Sequence, residues 1–471
     1  MSTRFNNYDP DVKQLVLSFE QGRSSGHIPF FDVDEFCIII DFYLDGISQS
    51  RSGSFFPHNS SFDCLEYAVN AARKLYPSND AIRLRYSHLF CVMGRYDKAL
   101  PILTALEQAD PSNTDVQYAL GTLFSATDQP RRAIQCYLNA SRDGYQLGTI
   151  FANIGDEYSN LGRIEDAIRF YKKALAQQPD DEHSLLNLES SYADMGFTAD
   201  ALIFFRQFVA RHPYNKFAWF CLGRSYMNLY DYQAFHTAPA DASALPSHAS
   251  SDILSCPSPL SEAVDAFQYV LTIDKTYFDA YVLMSQCQQM MGLFSQAVAT
   301  LRESIDFATD ASNVLFTIAS IYRSQGNLQT AVIYLRKTTD QDPFYSEAWL
   351  SLADCYLLLG DASMAEDLYQ RALGMNKSND EFWIKYADFL ISFNRFDDAL
   401  ELLQHGIVNA DYPFDFNIRL ALCFFKTSRR NNMVNTLLAC VSDGASLDPL
   451  FDLCPELALD PDVQSIIPAQ S

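Results

Sequence analysis

A 34-residue beat runs through most of this chain and limits its possible folds more than any other feature. Blocks begin near Asp80, Thr114, Gly148, Glu182 and Lys216 and, after one interruption, near Phe278, Ser312, Ser346, Asp380 and Phe414. Block position 20 is alanine nine times running: Ala99, Ala133, Ala167, Ala201, Ala263, Ala297, Ala331, Ala365 and Ala399. With alanine at about a tenth of residues, chance gives that on the order of once in a billion. Position 8 is small in nearly every block, as Ser87, Gly121, Gly155, Gly223, Ser285, Ala319, Ala353, Ala387 and Ala421.

Such spacing reads as two amphipathic helices per block, joined at Gly162-Arg163 in the block from Gly148. Small residues at positions 8 and 20 let the two backbones approach, where a bulky side chain would overpack. Aromatic residues fill the space around them at position 11 (Phe124, Tyr158, Tyr192, Tyr226, Tyr322, Tyr356) and position 24 (Tyr137, Tyr171, Phe205, Phe267, Tyr369). The tryptophans Trp219, Trp349 and Trp383 all fall at position 4. Pro111, Pro179, Pro213 and Pro343 fall at position 32, where a residue unable to continue a helix ends the block.

This pattern resembles the tetratricopeptide repeat family, W-x2-L-G-x2-Y, then A-x3-F/Y, then P, and Trp219…Leu222-Gly223…Tyr226 matches the first box at each marked position. The likeness covers about residues 80–440, with departures at Glu189 on a normally small site, Gln288 in place of an aromatic, and Met433 in place of the last alanine. The N-terminal segment is also similar to the openings of bacterial tetratricopeptide proteins, those of Bacteroidetes especially, a likeness that carries no activity.

The resemblance implies an all-α fold, a right-handed superhelical α-solenoid of antiparallel helix pairs with a concave face lined by the first helix of each repeat. Family positions 2, 5, 9 and 12 then name a partner-binding groove: Tyr118, His183, Phe217, Phe220, Arg224, Met227, Gln286, Phe316 and Arg323, with Asp279, Gln289, Glu347, Asp354, Glu381 and Asp388 beside them. Its middle is aromatic with arginines, the usual centres of protein interfaces, and its C-terminal part is acidic. A Lys/Asn clamp for a C-terminal carboxylate is absent, because the matching positions hold Leu84, His88, Tyr118, Thr122, Ala152 and Asp156.

The expected organisation is a loosely ordered segment 1–32, a degenerate repeat 33–79 with an insertion at 47–61, repeats over 80–230, an Ala/Ser/Pro-rich insertion 231–260, repeats over 261–443, and a capping tail 444–471 that uses Leu450, Phe451 and Leu457. The insertions read as surface loops, since their composition cannot form a packed core.

Charge and motifs exclude several functions. Lys+Arg 34 against Asp+Glu 58 leaves −24, which repels phosphate and argues against a nucleic-acid or anionic-membrane footprint. Apolar runs such as Phe36–Leu44 fall short of the ~20 residues that span a bilayer. The 11 cysteines are scattered without a CxxC pair, as in a reduced cytoplasmic protein. Gly22-Arg-Ser24-Ser-Gly26 fits G-x-S-x-G but lacks the strand a nucleophile elbow needs. His236, His248 and Cys256 share the insertion at irregular spacing, and no HExxH, GxGxxG or GxxxxGK[ST] occurs, so no metal and no cofactor is expected. The sequence therefore points to a non-catalytic scaffold for protein or peptide partners. The alternatives are a structural subunit of a homo- or hetero-oligomer and an accessory module of an enzyme or transporter.

Overall fold

The structure is a computed structural model that describes residues 9–26, 29–51, 59–144, 146–236, 258–410, 412–442 and 446–466. Among these residues every regular element is helical and no strand occurs. The chain divides into two compact units, Met1–Ala266 and Phe267–Ser471, and the division falls inside the helix Pro259–Ile273.

In the first unit the repeat pairs are Asp80–Val92 with Tyr96–Ala109, Thr114–Ala126 with Pro130–Ala140, Leu147–Asn160 with Ile164–Gln177, and Glu182–Asp194 with Thr198–Arg211. Lys216–His236 follows as the first helix of a further repeat. The second unit continues with Phe278–Met290 and Phe294–Ser304, Ala311–Ser324 and Leu328–Gln341, Ser346–Leu358 and Ala362–Met375, Asp380–Ser392 and Phe396–Gly406, and Pro413–Lys426 and Arg430–Ser442.

In each of the nine pairs named above the first helix packs on the second. All nine position-20 alanines are buried, eight of them at 0% exposure. Opposite them, Gly121 and Gly155 lie so close to the Tyr137 and Tyr171 rings that an added Cβ would stand 2.6 Å from ring carbons. The departures also pack: Met433 is fully buried, and the Gln288 Oε1 accepts a 2.9 Å hydrogen bond from the Thr300 hydroxyl, which satisfies a polar atom in an aromatic's place.

The turn inside each repeat has one demanding residue, position 15. Gly94, Gly162, Gly196, Gly292, Gly326 and Gly360 sit there with φ between +67° and +87°, and Asp128, Asn394 and Ser428 adopt the same left-handed region at +56° to +59°. That conformation lets the chain reverse while the residue's own amide and the next one close the helix end: Gly162 N–H donates to Ser159 C=O (2.8 Å) and Arg163 N–H to Tyr158 C=O (2.9 Å). Between repeats, the position-4 tryptophans act as ties. Trp219, Trp349 and Trp383 donate their indole N–H to the carbonyls of Pro213, Pro343 and Lys377 at 2.8, 3.0 and 2.9 Å, each six residues back on the preceding block.

Three segments differ from the sequence reading. Within 1–32, residues Pro10–Ser25 are a helix, not a loose segment: the Asp9 carboxylate caps its first turn, and Val16 and Phe19 are fully buried. The stripe Val12, Leu15, Val16, Phe19 carries that helix at spacing i, i+3, i+4, i+7. Around the expected 47–61 insertion, the helix Val33–Arg51 runs on and the next begins at Asn59. Around 231–260, Lys216–His236 continues well past Asp231 and Pro259 opens the next helix. The remainders of both insertions, 52–58 and 237–257, lie outside the described residues, with His248 and Cys256. In the tail, Leu450, Leu457 and Val463 are fully buried in the second unit's core, Phe451 is half-buried, and Arg430 pairs with Asp460 (2.7 Å) and Asp462 (3.0 Å).

Candidate functional site

The first-helix face of each unit carries a cleft. In the first unit a 240 Å³ cleft is lined by Asp156, Ser159, Asn160, Tyr171, Asn187, Ser190, Ser191 and Asp194. In the second unit a 730 Å³ cleft lies between the first helices Asp380–Ser392 and Pro413–Lys426. Its walls hold Asp380, Glu381, Asp388 and Asp415 against Lys385 and Arg419, with Ile384 and Tyr412 as apolar surface. The helix N-termini place three of those carboxylates in first turns, where the backbone dipole favours them.

A ladder of polar contacts crosses these faces from one repeat to the next. An aspartate at position 9 accepts from position 6 of the following repeat: Asp156 from Asn187 (3.1 Å) and Asp388 from Arg419 (2.6 and 2.9 Å), while Asp354 stands 3.6 Å from Lys385. The same aspartate also accepts from the position-24 tyrosine of its own repeat, Tyr171 to Asp156 at 2.8 Å and Tyr369 to Asp354 at 2.6 Å. Burial, with the carboxylate beside them, pushes both phenols above their ordinary pKa. The His183 Nε2 lies 2.8 Å from Asp156, and that hydrogen bond holds the imidazole above its usual pKa.

One rung departs from this register. Glu189 is 1% exposed, with Asn228 donating to one carboxylate oxygen at 3.0 Å and the Arg224 guanidinium 3.0 Å from the other. That second oxygen has ion-pair contact without hydrogen-bond alignment. Burial raises the Glu189 pKa, and Arg224 works against the rise.

Family models described as tetratricopeptide repeat match residues 149–181, 316–380 and 357–410. Over those residues the chain carries tetratricopeptide repeats. Among curated relatives, the peroxisomal targeting signal receptor of Kluyveromyces lactis is 35% identical over 91 residues, 19% of this chain and 16% of that protein. The type IV pilus assembly protein PilF of Pseudomonas aeruginosa is 27% identical over 92 residues, 20% of this chain and 36% of the relative. The chain thus spans well under half the length of either relative. Among solved structures, MamA aligns over 49% of this chain and 92% of its own at 19% identity with a TM-score of 0.29. The APC/C hetero-tetramer Cut9–Hcn1 aligns over 96% and 98% at 11% identity with a TM-score of 0.33.

The residues expected in the groove of this tetratricopeptide protein have unequal surroundings. Phe220 is 6% exposed, so little of its ring is open to a partner. Arg224 and Arg323 have carboxylates of adjacent repeats beside them, Glu189 at 3.0 Å and Asp354 at 3.7 Å. His183 is engaged with Asp156. Tyr118 is half-buried beside Tyr137, with its hydroxyl accepting from Asn153 at 3.4 Å. Phe316 meets Tyr345 edge-on at 5.1 Å, and Phe217 lies under the Lys216 ammonium. Met227 is half-buried and Gln286 exposed. Sequence reasoning missed Lys385, Asp415 and Arg419. Lys385 and Arg419 carry a readable signal, a base at position 6 one block after an acid at position 9, and Asp415 falls at position 2, one of the groove positions.

No cluster of His, Cys, Asp and Glu suited to a metal ion occurs among the described residues, and no described helix is long and apolar enough to cross a membrane.

Proposed function

We propose that this tetratricopeptide protein is a non-catalytic scaffold that holds a basic, extended segment of a partner protein against the first-helix face of its second unit. The observation that carries the reading is the 730 Å³ cleft between consecutive first helices, with four carboxylates against two cations. Arg419 is bound to Asp388 and Lys385 stands beside Asp354, so Glu381 and Asp415 present their charge outward. The net charge of −24 adds long-range attraction for a cationic segment. The ten described cysteines are free thiols, nine of them buried, which suits a reducing compartment such as the cytoplasm.

The test uses the full chain on an array of basic, neutral and acidic peptides. Basic peptides should be retained, and Glu381→Lys with Asp415→Lys should weaken that retention about tenfold, or ~1.4 kcal/mol. Equal retention of acidic peptides, or an unchanged double variant, overturns the reading.

A further inference from the structure

The helix Asp380–Ser392 has a second cavity on its opposite flank, facing the second helices Ala362–Met375 and Phe396–Gly406. It measures 640 Å³ and is lined by Trp383, Tyr386, Leu373, Asp398, Glu401 and His405, among others. The repeat before it shows what such a place accepts. There Trp349 also stands at position 4, and Arg371 at position 26 lays its guanidinium 3.7 Å from the indole centroid. Covered in this way, Trp349 is 9% exposed.

One repeat later the register is the same but the cover is missing. Position 26 is His405, whose ring is shorter than an arginine and carries no guanidinium. Trp383 is accordingly half-buried and lines the cavity. The indole also rests against Gly406, where an added Cβ would stand 2.8 Å from it, so the ring is held in place. Asp398 is engaged by Arg395 at 2.6 Å, whereas Glu401 is exposed and has no ion-pair partner among the described residues. Lys377 also lines the cavity, and its backbone carbonyl accepts the Trp383 indole N–H at 2.9 Å.

We infer that this cavity is a binding site for an arginine side chain of a partner protein, with the guanidinium on the Trp383 ring and its charge met by Glu401. A planar cation suits an indole face, and its N–H fork suits a carboxylate. The volume admits one arginine side chain with part of its backbone. This inference stands apart from the first-helix cleft, since the two sites share no residue.

The experiment follows the three indole N–H resonances of the isotope-labelled full chain, assigned by single Trp→Phe variants. The probes are acetyl-Gly-Gly-Arg-Gly-Gly-amide and its citrulline counterpart, which keeps the shape and loses the charge. The arginine peptide should shift the Trp383 resonance saturably in the millimolar range, and the citrulline peptide should not. His405→Arg should fill the site from within, as Arg371 does, and weaken binding at least tenfold. Glu401→Gln, a conservative change on an exposed residue, should weaken it severalfold and keeps the test decisive should His405→Arg fail to fold. An absent or unsaturable Trp383 shift, an equal response to citrulline, or undiminished binding by Glu401→Gln overturns the inference.

Discussion

Glu189 shows how much a single residue can decide. Its position normally takes a small side chain, and here a carboxylate at 1% exposure reaches Arg224 and Asn228 on the following repeat. Breaking a buried pair from one side strands the other charge. Arg224→Ala should therefore destabilise the fold by about 2–3 kcal/mol at neutral pH, the low end because the guanidinium is 38% exposed. The sign with pH follows from the raised Glu189 pKa. A raised acid favours the fold below its unfolded value and loses that contribution as pH rises through the folded value. Removing Arg224 extends that loss upward, so the gap between variant and parent should widen from pH 5 to pH 8. Urea midpoints at both pH values check this, and Glu189→Gln added to Arg224→Ala should recover most of the loss.

At the scale of the helix pair, the position-15 turn sets a cost that differs between repeats. Glycine adopts the left-handed region freely, and other residues do so at roughly 1 kcal/mol. Ser428, at φ +58°, should gain about that much stability as Ser428→Gly. Asn394→Gly should gain less, since asparagine tolerates this region best among side chains. Thermal midpoints of the two variants measure the difference. The pairing of helices was legible in the sequence because alanine and glycine at fixed positions leave room for one neighbour, and Tyr137 and Tyr171 fill it. The helix Pro10–Ser25 was equally present as a stripe but lies outside the 34-residue beat. The groove was less legible. Family positions locate a face of a helix, but they do not tell whether an arginine on it is already matched by an aspartate from the next block. The place of Arg371 on Trp349, and its loss at His405, needs the contact itself.

For the molecule as a whole, charge opposes the packing. The chain carries −24, and its exposed ion pairs are individually worth about 0–1 kcal/mol. Self-repulsion spread over both units should outweigh them. Raising sodium chloride from about 0.01 M to about 1 M shortens the screening length from about 30 Å to about 3 Å. The thermal midpoint should rise by a few degrees across that range, and a fall would mean that the ion-pair ladders dominate instead. The indole ties give this a local readout. Because each of Trp219, Trp349 and Trp383 donates across one boundary between blocks, the protein carries an intrinsic optical gauge at three known seams. Stretching the chain, or prising one seam open, would hand that indole to water and redden its glow. Variants keeping a single tryptophan would show which seam yields first under load.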